Sequence, residues 1–295
     1  MFAALTQAGL EKLFRRGPLP GCQDGCVFPY SGQMPSASPA PDGARSLHRA
    51  IGLLRLLSMR TATGWRLSDL AQEAALEHST VHRMLACLLE ERLAVRVPGT
   101  RRYAIGPLAY ELGVAAAPHF GIERLAAPAL ARLAGDTRDI VFLNVRSGAE
   151  SVCVARVEGR KALKAYTVDV GTRRPLSLSA GGVAMLIALP RAQQTRLEAQ
   201  NLQAIVRRGE ARQTAVRRMV QRSRRLGYGF NHEDIIPGIA ALGVAIRAPG
   251  GEPIASLSLA ALGEDLVARQ AHVLALLREE AGRIEGLLGP LRYPA

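Results

Sequence analysis

The sequence predicts an α+β chain in two domains: an N-terminal winged helix-turn-helix and a C-terminal domain of antiparallel strands and helices. Three observations predict it. Residues 66–89, RLSDLAQEAALEHSTVHRMLACLL, read as two short helices meeting at a tight turn. Residues 93–105, LAVRVPGTRRYAI, read as two strands around a Pro-Gly-Thr turn, and from Ile122 onward β-branched runs alternate with helical ones. With 295 residues, 48% of them apolar, the chain can pack a core in each domain. The expected division is an arm over 1–44, a DNA-binding domain over 45–106, a linker helix over 107–121 and a second domain over 122–290.

The arm opens with a short apolar helix candidate and continues as LPGCQDGCVFPYSGQMPSASPAPDGA, a composition that buries little and is expected to stay loose, with Met34 as an alternative start. Cys22 and Cys26 have no second pair to complete a zinc site, while Cys87 and Cys153 read as small core residues, so no metal and no cofactor is expected. In residues 45–59, Leu47, Ala50, Ile51, Leu54 and Leu57 form a helical stripe to pack behind the helix-turn-helix.

The first helix of the motif is expected to be capped by the Ser68 hydroxyl, with Asp69 in its first turn and Leu67, Leu70, Ala71 and Ala74 facing inward. In the second, Val81, Met84, Leu85 and Leu88 fall at i, i+3, i+4 and i+7, which leaves His78, Ser79, His82 and Arg83 on the opposite face. Pattern alone admits two readings, a polar face that meets water and a face that reads base edges in the major groove. Arg83 suits guanine O6 and N7 bidentately, and the wing adds Arg96, Arg101 and Arg102 as cations for neighbouring phosphates. In the turn between the helices stands Ala75, and a positive φ there would cost it about 1 kcal/mol relative to glycine.

A connecting helix over 108–117 is expected to end at Pro118. Beyond it the pattern gives a helix over 123–133, strands over 139–145, 151–157, 161–168, 242–247 and 254–260, and helices over 181–189, 211–226 and 265–288. Helices are expected on one face of the sheet. The segment SLSAGGVAML places Ser179, Ala180, Gly181 and Gly182 before an apolar helix, which suits either close helix-on-sheet packing or an anion held at the helix N-terminus. Arginines crowd residues 191–225, including Arg207, Arg208, Arg212, Arg217, Arg218, Arg222, Arg224 and Arg225, as a solvated helix face or a second DNA surface.

The net charge of +13 comes almost wholly from arginine, since lysine occurs only at Lys12, Lys161 and Lys164. Such a balance favours a polyanionic partner, and arginine is the better bidentate ligand for phosphate and guanine. No apolar run is long enough to cross a bilayer, and Lys12, Arg15 and Arg16 follow the apolar N-terminal residues, the reverse of a secretory signal, so a cytoplasmic protein without a membrane partner is expected. His232, Glu233 and Asp234 cluster, and Ser177, Ser179 and Ser258 supply hydroxyls, yet no nucleophile elbow, phosphate loop or metal-ligand spacing accompanies them; an enzyme is not expected. A non-specific basic or architectural nucleic-acid-binding protein is the alternative to a sequence-specific regulator.

SLHRAIGLL at residues 46–54, LSDLAQEAALEHSTVHRML and RRYAIG at 101–106 resemble the winged helix-turn-helix of the IclR family of bacterial transcription regulators. VGTRRPLSLSAGGVAML at 170–186 and GYGFNHEDIIPGIAALGVAI at 227–246 resemble two segments of that family's effector-binding domain, so the likeness runs over roughly residues 45–289 in the family's order. The resemblance implies a GAF-like or PAS-like sensor fold, a homodimer or homotetramer, a pseudo-palindromic operator in double-stranded DNA and a small organic acid as effector. Carried over position by position, it places the effector against the backbone amides of Ala180 and Gly181, against Asn231, Ala241, Ser258 and Ala260, and between apolar walls from Tyr166 and Ile239. Ala241 and Ala260 stand where the family has polar groups, which implies a larger, partly apolar acid, aromatic or branched.

Overall fold

The computed structural model describes residues 44–60, 63–161, 168–206 and 209–288. The arm up to residue 43 with Met34, Cys22 and Cys26, the wall residue Tyr166, most of the strand expected over 161–168, and Arg207 and Arg208 lie outside the described residues.

The first unit is built on α1 (Ala44–Leu57), β1 (Trp65–Arg66), α2 (Leu67–Ala74), α3 (His78–Glu90), β2 (Ala94–Arg96) and β3 (Arg102–Ile105). Leu53 and Leu57 from α1, Leu70 from α2, and Val81 and Leu85 from α3 close on Trp65 and Tyr103 in one buried cluster. The strands pair antiparallel in the order β1-β3-β2, with Trp65 opposite Tyr103 and Arg66 opposite Arg102. That pairing corrects the expected cap. β1 runs straight into α2, so extended Arg66 is the N-cap residue without a side-chain bond, and Ser68 lies inside the first turn, its hydroxyl donating to Asp69 at 3.1 Å. Ala75 ends α2 in the left-handed region at φ 51°, with its N–H on the Gln72 carbonyl and that of Leu76 on the Ala71 carbonyl.

α4 (Pro107–Phe120) begins with proline at its first position and runs past Pro118, two residues beyond the expected stop. The break falls at Gly121, where a Cβ would stand 2.6 Å from the Ala117 carbonyl oxygen, before α5 (Ile122–Thr137).

The second unit adds β4 (Ile140–Ser147), β5 (Glu150–Val157), β6 (Arg173–Pro175), a 3₁₀ turn (Leu176–Leu178), α6 (Ala180–Ile187), α7 (Arg191–Ala204), α8 (Glu210–Leu226), β7 (Gly229–His232), β8 (Ile239–Arg247), β9 (Pro253–Leu262), α9 (Gly263–Ala268) and α10 (Gln270–Leu287). Its six strands form one antiparallel sheet in the order β6-β5-β4-β9-β8-β7. Helices cover both faces rather than the expected one. β9 is buried at every position but the last, so its two faces both need cover. Val141, Leu143, Leu242, Val244, Leu257 and Leu259 pack under α5 and α10, and α6 crosses the other face, held in turn by α7 and α8 through Val183, Met185, Leu197, Val216 and Met219.

The arginine-rich segment is in part the expected solvated face, with Arg191, Arg196, Arg217, Arg218 and Arg225 exposed, and in part tied to the protein's own acceptors. Arg218 and Arg222 converge on the fully buried carboxylate of Asp234, Arg224 pairs with Glu198, and Arg212 donates to the carbonyls of Asp234 and Ile235. The single helix expected over 265–288 is interrupted at Arg269, whose guanidinium joins Asp139 and Asp265.

Candidate nucleic-acid interface and effector cavity

α3 turns Val81, Leu85 and Leu88 inward, and His78, Ser79, His82 and Arg83 are exposed along its first half. Cys87 is exposed too, against the expectation of a core thiol, because it follows Arg83 by one turn on the outer face. In the wing, Arg96 is exposed, its guanidinium 5.8 Å from the Tyr103 ring centroid, and Arg101 is exposed after the turn that joins the two strands. Arg102 is drawn away from the outer surface: its Nη1 donates to the Gly64 carbonyl at 3.1 Å. The outward cations of the wing are therefore Arg96 and Arg101.

In the second unit, the face of the sheet beneath α6 carries a cavity of about 50 Å³. Ala180, Asn231, Ile239, Ala241, Ser258 and Ala260 all line it, and Gly181 is not among its described lining residues. A Cβ at Gly181 would lie 2.7 Å from Ser256 Oγ, 3.0 Å from Asn144 Nδ2 and 3.1 Å from Ser258 Oγ. At Gly243 it would stand 2.7 Å from the Gly181 nitrogen, and at Gly229 it would collide with the Ala180 carbonyl. The glycines thus let the helix start press onto the sheet, which is the close-packing reading of SLSAGG, while the same helix start forms a wall of the cavity. Ser179 Oγ accepts from the Gly182 N–H at 3.0 Å and the Ser179 carbonyl from that of Val183 at 2.8 Å. The N–H groups of Ala180 and Gly181 precede any helical acceptor.

Asn231 Oδ1 accepts from the backbone N–H of Asp234 at 3.0 Å and of Ile235 at 3.3 Å. That fixes the orientation of its amide and leaves Nδ2, a donor, for the cavity. Sequence reasoning missed Asn144, Ser151, Thr172 and Arg174, which also line it. Asn144 Nδ2 donates to Ser258 Oγ at 3.2 Å, and an asparagine within the apolar run IVFLNV was the signal that could have found it. Cys153 lies under this face with Ile140, Phe142 and Ala260, and burial pushes its thiol up to about 11.

The cluster of His232, Glu233 and Asp234 holds no reacting group. Asp234 is consumed by Arg218 and Arg222, Glu233 accepts from the Gly238 N–H at 3.0 Å, and exposed His232 stacks on Phe230 with centroids 5.4 Å apart. Among the described residues, no helix is long and apolar enough to cross a membrane.

Comparison with known proteins follows this division. The model for the IclR helix-turn-helix domain matches residues 46–98, and that for the bacterial transcriptional regulator IclR C-terminal domain matches residues 114–285. The chain is 28% identical over 218 residues to the HTH-type transcriptional regulator BhcR of Paracoccus denitrificans, covering 74% of this chain and 77% of that one. To the transcriptional repressor IclR of Escherichia coli it is 25% identical over 228 residues, covering 76% and 82%. Solved structures share the fold: an IclR transcriptional regulator from Silicibacter has a TM-score of 0.69 at 20% identity, covering 85% of this chain and 100% of that one. An IclR homolog from Microbacterium hydrocarbonoxydans, complexed with 4-hydroxybenzoate, has a TM-score of 0.61 at 22% identity, covering 82% and 98%.

Proposed function

This chain belongs to the IclR family of bacterial transcriptional regulators, which are not enzymes, and we propose that it reads a pseudo-palindromic operator as a homodimer or homotetramer under control of a small organic acid. The observation that carries the DNA-reading part is the division of α3, with Val81, Leu85 and Leu88 sealed inside and His78, Ser79, His82 and Arg83 exposed together. Arg83 reads a base, Ser79 and the histidines reach bases or phosphates, and Arg96 and Arg101 hold the flanking backbone. Self-association is supported by α1 and α4, which leave Leu47, Ile51, Tyr110, Leu112 and Val114 exposed. The protein acts in the cytoplasm, where its operator is.

The effector binds at the cavity under α6, its carboxylate on the amides of Ala180 and Gly181, with Asn231, Ser258, Ile239, Ala241 and Ala260 around it. The apolar lining supports an aromatic or branched acid, and the 4-hydroxybenzoate carried by the Microbacterium homolog is of that class. The cavity, about 50 Å³, has room for three to five waters at roughly 10–15 Å³ each. Effector contacts that differ between two arrangements of this domain would link ligand affinity to operator affinity.

Arg83→Ala and Arg101→Ala test the assignment of roles by anisotropy on matched and mismatched duplexes across a salt series. The first should cost about 1–3 kcal/mol of discrimination at one base pair; the second should weaken all duplexes alike and lower the salt slope by about one. A variant of Arg83 with unchanged sequence preference removes it from the reading set.

A further inference from the structure

We propose that the cleft between α7, α8 and the 3₁₀ turn is a second ligand site, apart from the effector cavity, and that it takes a small phosphate monoester. The cleft holds about 240 Å³ and shares no described lining residue with the effector cavity. The two meet at one turn: Ser177 lines this cleft, and Leu178, Ser179 and Ala180 line the other.

Ser177 is 1% exposed, and its backbone N–H is spent on Asn201 Oδ1 at 2.9 Å. Its hydroxyl is buried without a hydrogen-bond partner. Taking a hydroxyl out of water unpaired is unfavourable, and a ligand in the cleft that bonds to it removes that cost.

The rest of the lining is cationic. α7 presents Arg191, and α8 presents Arg217 and Arg224, against Glu198 alone. Gln194 draws two of these together. Its Nε2 donates to the Ile187 and Leu189 carbonyls, which leaves its Oε1 to accept from both Arg191 Nη1 at 3.2 Å and Arg224 Nε at 3.3 Å. Glu198 neutralises Arg224. Arg191 meets only the neutral oxygen of Gln194, and exposed Arg217 has no carboxylate partner among the described residues. Like charges held this close repel, so two positive charges are left for an anion to meet.

A phosphate monoester fits that demand. It carries close to two negative charges at pH 7 and three strong acceptor oxygens, which suit planar guanidinium forks and a hydroxyl donor together. A single carboxylate would leave one of the two charges unmet. Leu202 and Val216 give the cleft an apolar wall for the esterified group. The backbone of a DNA duplex suits the cleft less well, because each phosphodiester brings one charge and Ser177 lies too deep for a rigid duplex to touch.

The test is titration calorimetry on the full chain with phenyl phosphate, and with phenyl sulfate as the singly charged ester of the same shape, at constant ionic strength. Phenyl phosphate should saturate and bind about tenfold tighter than phenyl sulfate. Arg191→Gln combined with Arg217→Gln should weaken it at least about tenfold, since charge-assisted contacts are removed. Arg196→Gln combined with Arg225→Gln removes as much charge from exposed positions outside the cleft and should leave binding unchanged. Ser177→Ala should weaken phenyl phosphate about three- to tenfold, while the unliganded variant unfolds at the same temperature as wild type or higher, because the hydroxyl has no partner to lose. The proposal is overturned if phenyl phosphate does not saturate, if phenyl sulfate binds as tightly, if the two arginine pairs weaken binding alike, or if Ser177→Ala binds as wild type does. Anisotropy with a duplex of random sequence distinguishes the other source of phosphate. If the Arg191 and Arg217 pair weakens duplex binding more than the control pair does, and phenyl phosphate binding no more, the surface serves DNA and the proposal is overturned.

Discussion

Replacing Ala75 with glycine should stabilise the DNA-binding domain. Ala75 sits at φ 51° and ψ 43°, where the Cβ of an L residue costs about 1–2 kcal/mol. Glycine removes that strain but adds freedom to the unfolded chain, which offsets about 0.4–1 kcal/mol. Because Ala75 is exposed, no packing is lost with its methyl group, and the net gain is about 0.5–1 kcal/mol. The assay is urea unfolding followed by the fluorescence of Trp65, the chain's single tryptophan. Trp65 is 2% exposed in the helix-turn-helix core, beneath an Arg60 guanidinium 3.8 Å from its ring centroid, so its signal reports this domain alone. With a denaturant slope of about 1 kcal/mol per molar for a unit of this size, the midpoint should rise by about 0.5–1 M. Ala75→Val should lower it, since a β-branched residue tolerates that region worse than alanine. A midpoint for Ala75→Gly at or below that of wild type would refute the reasoning.

Two further predictions concern side chains whose surroundings set their chemistry. Glu280 accepts both Arg132 bonds, Nε at 2.8 Å and Nη2 at 2.7 Å, and these hydrogen bonds hold its carboxyl below the usual range, so the contribution it makes is complete above about pH 4.3 and fades as pH falls through the lowered value. Glu280→Gln should therefore unfold at lower urea than wild type at pH 7, by far-ultraviolet circular dichroism, with the gap closing below pH 4; a gap that widens on acidification contradicts the sign. In a Cys22→Ser, Cys26→Ser background, Ellman's reagent at pH 8 should label Cys87 and leave Cys153, raised to about 11, untouched until unfolding. Bound operator should shield Cys87, and labelling at the same rate with and without DNA would place that face of α3 away from the groove.

What was legible in the chain was whatever an apolar period writes. Val81, Met84, Leu85 and Leu88 defined α3 and its outer face, and β-branched runs found β4, β5, β8 and β9. Where polar side chains do the anchoring, the pattern is silent. α7 is held by Gln194, which donates to the carbonyls of Ile187 and Leu189, and by Asn201, which bonds Ala149 and Ser177, so its sequence RAQQTRLEAQNLQA shows no apolar stripe. β6 and β7 are too short to carry a period, and with β6 went Arg174. Cys87 was misread by adjacency, for it lies roughly 200° around the helix from Leu85. The residues that line the cavity were suggested only by family resemblance; Asn144 and Ser151 enter its wall because β4 and β5 turn those positions toward α6, a fact of register that no single strand reveals.

The central claim is sequence-specific reading of DNA by a symmetric assembly. Selection of bound duplexes from a randomised pool at near-physiological salt, with and without small aromatic acids, tests it most directly. Enrichment of a pseudo-palindrome whose half-sites are one helical turn or a multiple apart is the predicted result, relaxed at one base pair of each half-site when Arg83 is replaced by alanine. Recovery of duplexes without any shared sequence under both conditions, with affinity that falls with salt alone, would contradict the account and leave a non-specific basic binder.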